Sequence, residues 1–177
     1  MAHLLGLCGA LRAGSTNRML MREAARLFGP ETFVEADLDL PLYNADVEAR
    51  GMPEAVTRLT DQIRAADAVI LACPEYNKSM TGVMKTALEW TSRVKGAPLR
   101  DKPVAIVSAA DGRGGGDRAQ FALRLTLVAF RARVLPGPEV MVADSSNAFD
   151  DEGRLISDIT LRFLQELMDA LKREMAR

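Results

Sequence analysis

The stretch Gly9-Ala10-Leu11-Arg12-Ala13-Gly14-Ser15-Thr16-Asn17 decides the fold, because it is a polar, glycine-containing turn between an apolar run and a helical pattern. Residues 3–8 before it are almost wholly apolar, as in a strand that is buried on both faces of a parallel sheet. After it, apolar residues recur at helical spacing. Free N–H groups at the start of a helix attract anions, and Arg12 adds a guanidinium suited to a phosphate. The turn therefore predicts a site for one phosphate group.

Two observations limit this interpretation. Ser, Thr and Asn are also the ordinary helix-capping residues, so similar turns occur in proteins that bind nothing there. The turn lacks the Lys-Ser/Thr pair of a nucleoside-triphosphate loop, and its spacing does not fit the dinucleotide pattern G-x-G-x-x-G. The sequence therefore favours a single phosphate over a triphosphate or a dinucleotide.

Composition narrows the class of protein. A chain of 177 residues can bury one good core, and we predict a single domain over residues 1–177. With 23 basic and 24 acidic side chains the net charge is −1, so neither nucleic acid nor a membrane is expected as a partner. No apolar stretch approaches the roughly 20 residues that cross a bilayer, and the chain does not start with a signal-peptide pattern. We therefore expect a cytoplasmic protein.

Few residues are available for metal or nucleophilic chemistry. His3 is the only histidine, so we expect no metal site and no Ser-His-Asp triad. Cys8 and Cys73 fall at the ends of predicted strands, and they would lie near each other if those strands are neighbours. Two cysteines make no disulfide framework in a cytosolic chain, so we expect buried, reduced and unreactive thiols.

Strand and helix patterns alternate five times along the chain, which predicts an α/β fold with a doubly wound sheet and helices on both faces. The predicted strands are residues 3–8, 32–38, 68–73, 103–109 and 133–142, and the predicted helices are 15–28, one that begins at Pro53, 80–94, 117–132 and 156–174. We expect residues 39–52 to form a loop. One face of the helix over 117–132 can pack on the sheet, and we expect a partner subunit to cover the remainder. The helix is apolar around most of its circumference, at Phe121, Leu123, Leu125, Leu127, Val128 and Phe130.

Three loops of unusual composition follow the predicted central strands, where open parallel sheets bind ligands. The first is the turn quoted above, the second is Pro74-Glu75-Tyr76-Asn77-Lys78-Ser79, and the third runs from Ser108 to Asp117 with four glycines. Taken alone, the second is also compatible with a surface turn and the third with a flexible connection. Their occurrence at successive strand ends favours one site for a flat heteroaromatic ligand that carries a phosphate.

The same loops resemble those of the NADPH-dependent FMN reductase family, above all its chromate- and quinone-reductase branch. The matching segments are residues 9–17; Pro74 to Asn77 with Ser79, Gly82 and Lys85; residues 118–120 with 123–124; residues 39–46; and residues 149–150 with 153–155. Together these segments extend the resemblance to nearly the whole chain.

The resemblance implies a flavodoxin-like fold with five parallel strands in the order 2-1-3-4-5, noncovalent FMN and a homodimer or homotetramer. It also implies that NADPH or NADH gives hydride to FMN, which then reduces a small-molecule acceptor: free flavin, a quinone, an azo compound or chromate. Arg12, Ser15 and Asn17 would hold the phosphate. The full set of predicted FMN-binding residues is Ala10, Arg12, Ser15, Thr16, Asn17, Pro74, Glu75, Tyr76, Asn77, Ser108, Gly112, Gly114 and Gly115. We predict no catalytic side chain, and Glu75 is the nearest candidate for handling a proton.

Two other functions fit a chain of this topology. A flavodoxin-type electron carrier would have the same fold and FMN, but such carriers are typically strongly acidic, whereas this chain is nearly neutral. A receiver-type signalling domain would need an acidic phosphoacceptor at a central strand end. Cys73-Pro74 and Ser108-Ala109 stand at those positions instead.

Overall fold

The computed structural model describes residues 2–177, which form an α/β fold. The strands are β1 (His3–Cys8), β2 (Thr32–Ala36), β3 (Ala68–Ala72), β4 (Pro103–Ala109), β5 (Arg133–Val134) and β6 (Val140–Val142). The helices are α1 (Thr16–Phe28), α2 (Ala45–Arg50), α3 (Glu54–Ala65), α4 (Gly82–Arg93), α5 (Asp117–Leu127) and α6 (Asp158–Met175), with 3₁₀ turns at Val128–Phe130 and Ser145–Asn147. No helix of residues 2–177 is long and apolar enough to cross a membrane.

The strands form one parallel sheet in the order β2-β1-β3-β4-β5, and β6 also pairs with β4. This confirms the predicted doubly wound sheet and its strand order. The register aligns Leu5 of β1 with Val69 of β3, and Val69 in turn with Val104 of β4. The predicted fifth strand is two short strands, because Pro136 and Pro138 lack the N–H groups that would continue the ladder. The sheet therefore has six strands rather than five.

Helices cover both faces of the sheet, so the central strands are buried on both sides. One core cluster joins Leu4 and Ile70 to α1 and α6, and the other joins Leu5 and Val69 to α3, α4 and α5. Gly6 of β1 allows α1 to approach closely, because a Cβ at that position would lie 2.6 Å from Sδ of Met21. This packing fixes the start of α1 against the carboxyl ends of the strands.

The segment predicted as a loop over residues 39–52 contains the helix α2. Asn44 caps it, with Oδ1 accepting a hydrogen bond of 2.8 Å from the backbone N–H of Asp46. None of its residues is buried, so the helix has no apolar periodicity that a sequence pattern could detect. The loop before it docks on α4, where Nε1 of the fully buried Trp90 donates to the carbonyl oxygen of Pro41 at 2.7 Å.

The predicted helix over residues 117–132 ends as an α-helix at Leu127 and continues as a 3₁₀ turn. Leu127 is buried and Phe130 is partly buried within the subunit, so both pack on the core of this chain. The exposed apolar side chains are Phe121 (56%), Leu125 (76%) and Val128 (72%), which lie one helical turn apart along one side. These three residues, which we call the α5 stripe, belong to the predicted apolar set, and they are the members of it that the single chain leaves exposed.

Candidate functional site

The three loops meet at the carboxyl edge of the sheet and line two cavities that share Glu75, Ala110 and Asp111. The smaller, of about 150 Å³, is lined by Ala10, Arg12, Ser15, Thr16, Asn17, Pro74, Glu75, Tyr76, Ala109, Ala110, Asp111 and Ser145. The larger, of about 500 Å³, is lined by Glu75, residues 110–117 and Arg118. The cavities thus bring together eleven of the thirteen predicted residues; Asn77 and Ser108 line neither.

The start of α1 offers two free backbone donors to the smaller cavity. Ser15 caps the helix, and its Oγ accepts a hydrogen bond of 3.3 Å from the N–H of Arg18. The N–H groups of Thr16 and Asn17 find no acceptor within residues 2–177, and the first turn holds no acidic residue. Free N–H groups and the positive end of a helix dipole suit a phosphate. The geometry thus fits the phosphate of FMN.

The buried side chain of Asn17 joins α1 to the end of β4. Its Nδ2 donates to the carbonyl oxygen of Ala109 at 2.7 Å, and its Oδ1 accepts from the N–H of Ala109 at 3.0 Å. The prediction treated this side chain as a phosphate donor, whereas the structure uses both ends of the amide inside the protein. The backbone N–H of Asn17 has no acceptor within residues 2–177 and is available to an anion.

Asp111 is an acidic neighbour of the smaller cavity that the sequence analysis did not identify. Its Oδ1 accepts hydrogen bonds from Oγ of Ser145 (2.9 Å) and from the N–H (2.9 Å) and Oγ (2.7 Å) of Ser146. The Ser146 hydroxyl is the main cause that lowers the pKa of Asp111, and the charge of Arg12 acts in the same direction. The positive charge of Arg12 therefore lies within electrostatic reach of this carboxylate. No local pattern indicates the contact, because Asp111 and Ser145 are 34 residues apart.

The second loop is a tight hairpin turn. The backbones of Tyr76 and Ser79 exchange two hydrogen bonds, and the residues between them, Asn77 (φ 51°) and Lys78 (φ 65°), are both left-handed, as a type I′ turn requires. Asn77 thus lies at the tip of the turn, outside both cavities. Tyr76 lines the smaller cavity and is half exposed.

Glu75 of this loop caps α5. Its Oε2 accepts a hydrogen bond of 3.0 Å from the N–H of Arg118, in the first turn of the helix, and that N–H also donates to Oδ1 of Asp117 at 2.8 Å. The capping residue itself, Gly116, has no side chain that could do this. Glu75 therefore links the second loop to the third.

The fully buried Ser108 supports the third loop through hydrogen bonds. Its Oγ donates to the carbonyl oxygen of Gly115 at 2.7 Å and accepts from Nε2 of Gln120 at 3.0 Å. A Cβ on Gly115 (φ 57°) would lie 2.7 Å from the backbone carbon of Met141, so only glycine fits there. Ser108 thus supports the loop rather than facing either cavity, and the absence of a side chain at Gly115 lets the loop pack closely on the backbone of Met141.

The two cysteines are free and buried, as predicted. Cys8 is the last residue of β1, and Cys73 directly follows the neighbouring strand β3. Burial raises the pKa of the Cys73 thiol to about 11, so it is protonated at neutral pH. Within residues 2–177, no three His, Cys, Asp or Glu side chains are grouped so as to hold a metal ion. His3 is at the opposite edge of the sheet, at the start of β1.

Comparisons with known proteins agree with this geometry. The family model for NADPH-dependent FMN reductases matches residues 2–147. An NAD(P)H-dependent FMN reductase of Pseudomonas aeruginosa is 47% identical over 171 residues, which cover 96% of this chain and 92% of that protein. A quinone reductase of Escherichia coli is 40% identical over 163 residues, covering 89% and 87% of the two chains.

A solved structure is similar over almost the whole length. The flavoenzyme NAD(P)H:(acceptor) oxidoreductase FerB from Paracoccus denitrificans has a TM-score of 0.89 and 31% identity, and the match covers 99% of this chain and 98% of that one. An azoreductase from Bacillus anthracis, at 17% identity and a TM-score of 0.64, shares the fold.

Proposed function

Since this chain belongs to the NADPH-dependent FMN reductase family, we propose that it takes hydride from NADPH or NADH and passes it through noncovalent FMN to a small-molecule acceptor. The acceptor classes that we propose are free flavin, quinones, azo compounds and chromate. The observation that carries the proposal is the open start of α1: the N–H groups of Thr16 and Asn17 are free at a cavity that adjoins a second, glycine-lined one.

When bound, FMN supplies the hydride chemistry, and the side chains of the protein bind and orient it. The N–H groups of Thr16 and Asn17 would hold the phosphate, with Arg12 adding a charge-assisted hydrogen bond. The larger cavity, which adjoins the smaller one, would take the flat ring of FMN and a second flat molecule against it. Glu75 lines both cavities and also accepts a hydrogen bond from the N–H of Arg118, so this side chain connects the second loop to the start of α5.

An absorbance spectrum of the purified protein tests this function. We expect a flavin band that bleaches when NADPH or NADH is added without oxygen and returns when a quinone follows. Bound flavin that neither nucleotide bleaches would favour an electron carrier for protein partners. A protein that binds no flavin after incubation with FMN would show that the fold has been kept without its chemistry.

We also propose that the protein is a homodimer or homotetramer in which a second copy covers the α5 stripe. Phe121, Leu125 and Val128 are at least half exposed in the single chain. Phe121 and Leu125 lie on the helix that begins at the glycine loop, and Val128 lies on the 3₁₀ turn that continues it. Contact through this face would therefore place the site near a subunit interface.

Leu125→Asp should therefore lower the mass of the particle measured by light scattering. Leu125 is 76% exposed and makes no core contact, so the subunit should fold normally. Leu42→Asp is the control, because Leu42 is 79% exposed but lies outside the stripe, and its mass should equal that of the wild type. An unchanged mass for Leu125→Asp would contradict an interface at this face.

We further infer a cytoplasmic location. The support is the state of Cys8 and Cys73, both free and buried, which fits a reducing compartment. Fractionation of the host cell with a cytoplasmic marker enzyme tests this inference.

A further inference from the structure

Arg18 of α1 donates hydrogen bonds to the backbone of the first loop. The guanidinium donates to the carbonyl oxygen of Arg12 at 3.1 Å through Nη1 and to that of Ala10 at 3.2 Å through Nη2. Its side chain is 23% exposed, so most of it is packed against the protein. Arg18 is not among the residues that line either cavity, whereas Ala10 and Arg12 both line the smaller one.

The direction of these carbonyl groups matters to an anion. A backbone carbonyl oxygen carries partial negative charge, so one that faced the cavity would repel a phosphate. The two hydrogen bonds hold the oxygens of Ala10 and Arg12 toward the guanidinium of Arg18, a residue that lines neither cavity. The short planar fork of a guanidinium can bind both oxygens at once.

Glu35 of β2 forms an ion pair with Arg18. Its carboxylate is 3.7 Å from Nε of Arg18 and accepts two hydrogen bonds from Arg22, of 2.5 and 3.1 Å. Both arginines therefore share one carboxylate, but only Arg18 reaches the loop. The pair offers a natural comparison, because Arg22 has the same charge and partner without the loop contacts.

We propose that Arg18 is a positioning residue that holds the first loop in its phosphate-binding form and so makes the protein prefer a phosphorylated flavin over an unphosphorylated one. It acts on the ligand through the backbone of Ala10 and Arg12 rather than by contact. The proposal rests on the proposed function, since it assumes that the phosphate of FMN occupies the smaller cavity. A loop ordered before binding has less conformational freedom to lose when the phosphate arrives.

The test compares FMN with riboflavin, which has the same ring but no phosphate. Dissociation constants are measured by quenching of flavin fluorescence on the full chain freed of flavin. Arg18→Gln should weaken FMN binding about tenfold, because two hydrogen bonds at the loop are lost, and leave riboflavin binding within about twofold of the wild type. Arg22→Gln should change neither constant by more than about twofold.

Arg18→Lys distinguishes the effect of the two hydrogen bonds from the effect of the positive charge. It also replaces Arg18→Gln in the test if that variant folds poorly. Lysine keeps the charge but cannot span both carbonyl oxygens, so we expect it to lose most of the FMN preference. Full retention of the preference by Arg18→Lys, an unchanged ratio of the two constants in Arg18→Gln, or an equal loss in Arg22→Gln would overturn the proposal. If the wild type binds neither flavin, the proposed function fails instead.

Discussion

Replacing Asn17 with alanine should lower the free energy of unfolding by about 2–6 kcal/mol, because it strands two buried backbone groups that each cost about 1–3 kcal/mol when unpaired. The N–H and carbonyl of Ala109 find their partners in the Asn17 amide, and Ala109 is 1% exposed. Urea denaturation of the two proteins, followed by circular dichroism, measures the difference.

Thr16→Ala is the matched control for this substitution. Thr16 is the neighbouring residue of α1, but its hydroxyl makes a single bond of 3.3 Å to Ser145 in a partly buried setting. We expect a loss of less than about 1 kcal/mol. Asn17→Asp should be as damaging as alanine at neutral pH, since a carboxylate can accept from the N–H of Ala109 but repels its carbonyl oxygen. A loss for Asn17→Ala no larger than that for Thr16→Ala would contradict the role of the amide.

Arg12→Ala should weaken FMN binding by about 1.5–3 kcal/mol, the range for a hydrogen bond to a charged group. This corresponds to a dissociation constant about 10 to 150 times larger. Arg12 lines the smaller cavity, is exposed and pairs with no carboxylate within salt-bridge distance among residues 2–177, so its guanidinium is available. A fluorescence titration gives the constant, and its change should shrink at high salt.

Arg113→Ala tests whether any nearby arginine has the same effect. Arg113 is also exposed but lines only the larger cavity, so its loss should change FMN binding by less than about 0.5 kcal/mol. If the Arg12→Ala protein keeps its flavin through gel filtration as the wild type does, the phosphate does not lie at Arg12.

The parts of the fold that sequence patterns predict well are those that bury apolar residues on both faces. β1, β3 and β4 are continuous apolar runs, and their positions agree with the prediction to within a residue. The pattern does not predict α2, because none of its residues is buried; its local signals are the cap at Asn44, acidic residues in the first turn and Arg50 in the last. The break in the last strand was visible as Pro136-Gly137-Pro138. Whether the residues on either side of this break form one bent strand or two strands depends on how each side pairs with β4.

In the candidate site, the sequence predicted which loops meet but not how each polar side chain is used. Three of the predicted polar side chains are buried and bind the backbone of the protein. Ser15 binds the N–H of a residue in the first turn of its own helix, Asn17 binds the end of β4, and Ser108 binds the glycine loop. A serine or asparagine that binds backbone and one that binds a ligand look alike in a sequence, because both need only a polar atom. The roles of Arg18 and Asp111 depend likewise on contacts that only the folded chain makes.

Trp90 gives the protein an internal optical reporter of folding. It is the only tryptophan, it is fully buried, and its ring packs edge-on against Tyr43 with 5.0 Å between centroids. The fluorescence of an enclosed indole peaks at shorter wavelength than that of an indole in water. The position of the emission maximum should therefore shift to the red only when the chain unfolds, while flavin release alone leaves it in place. A single sample can thus distinguish a variant that has lost its ligand from one that has lost its structure.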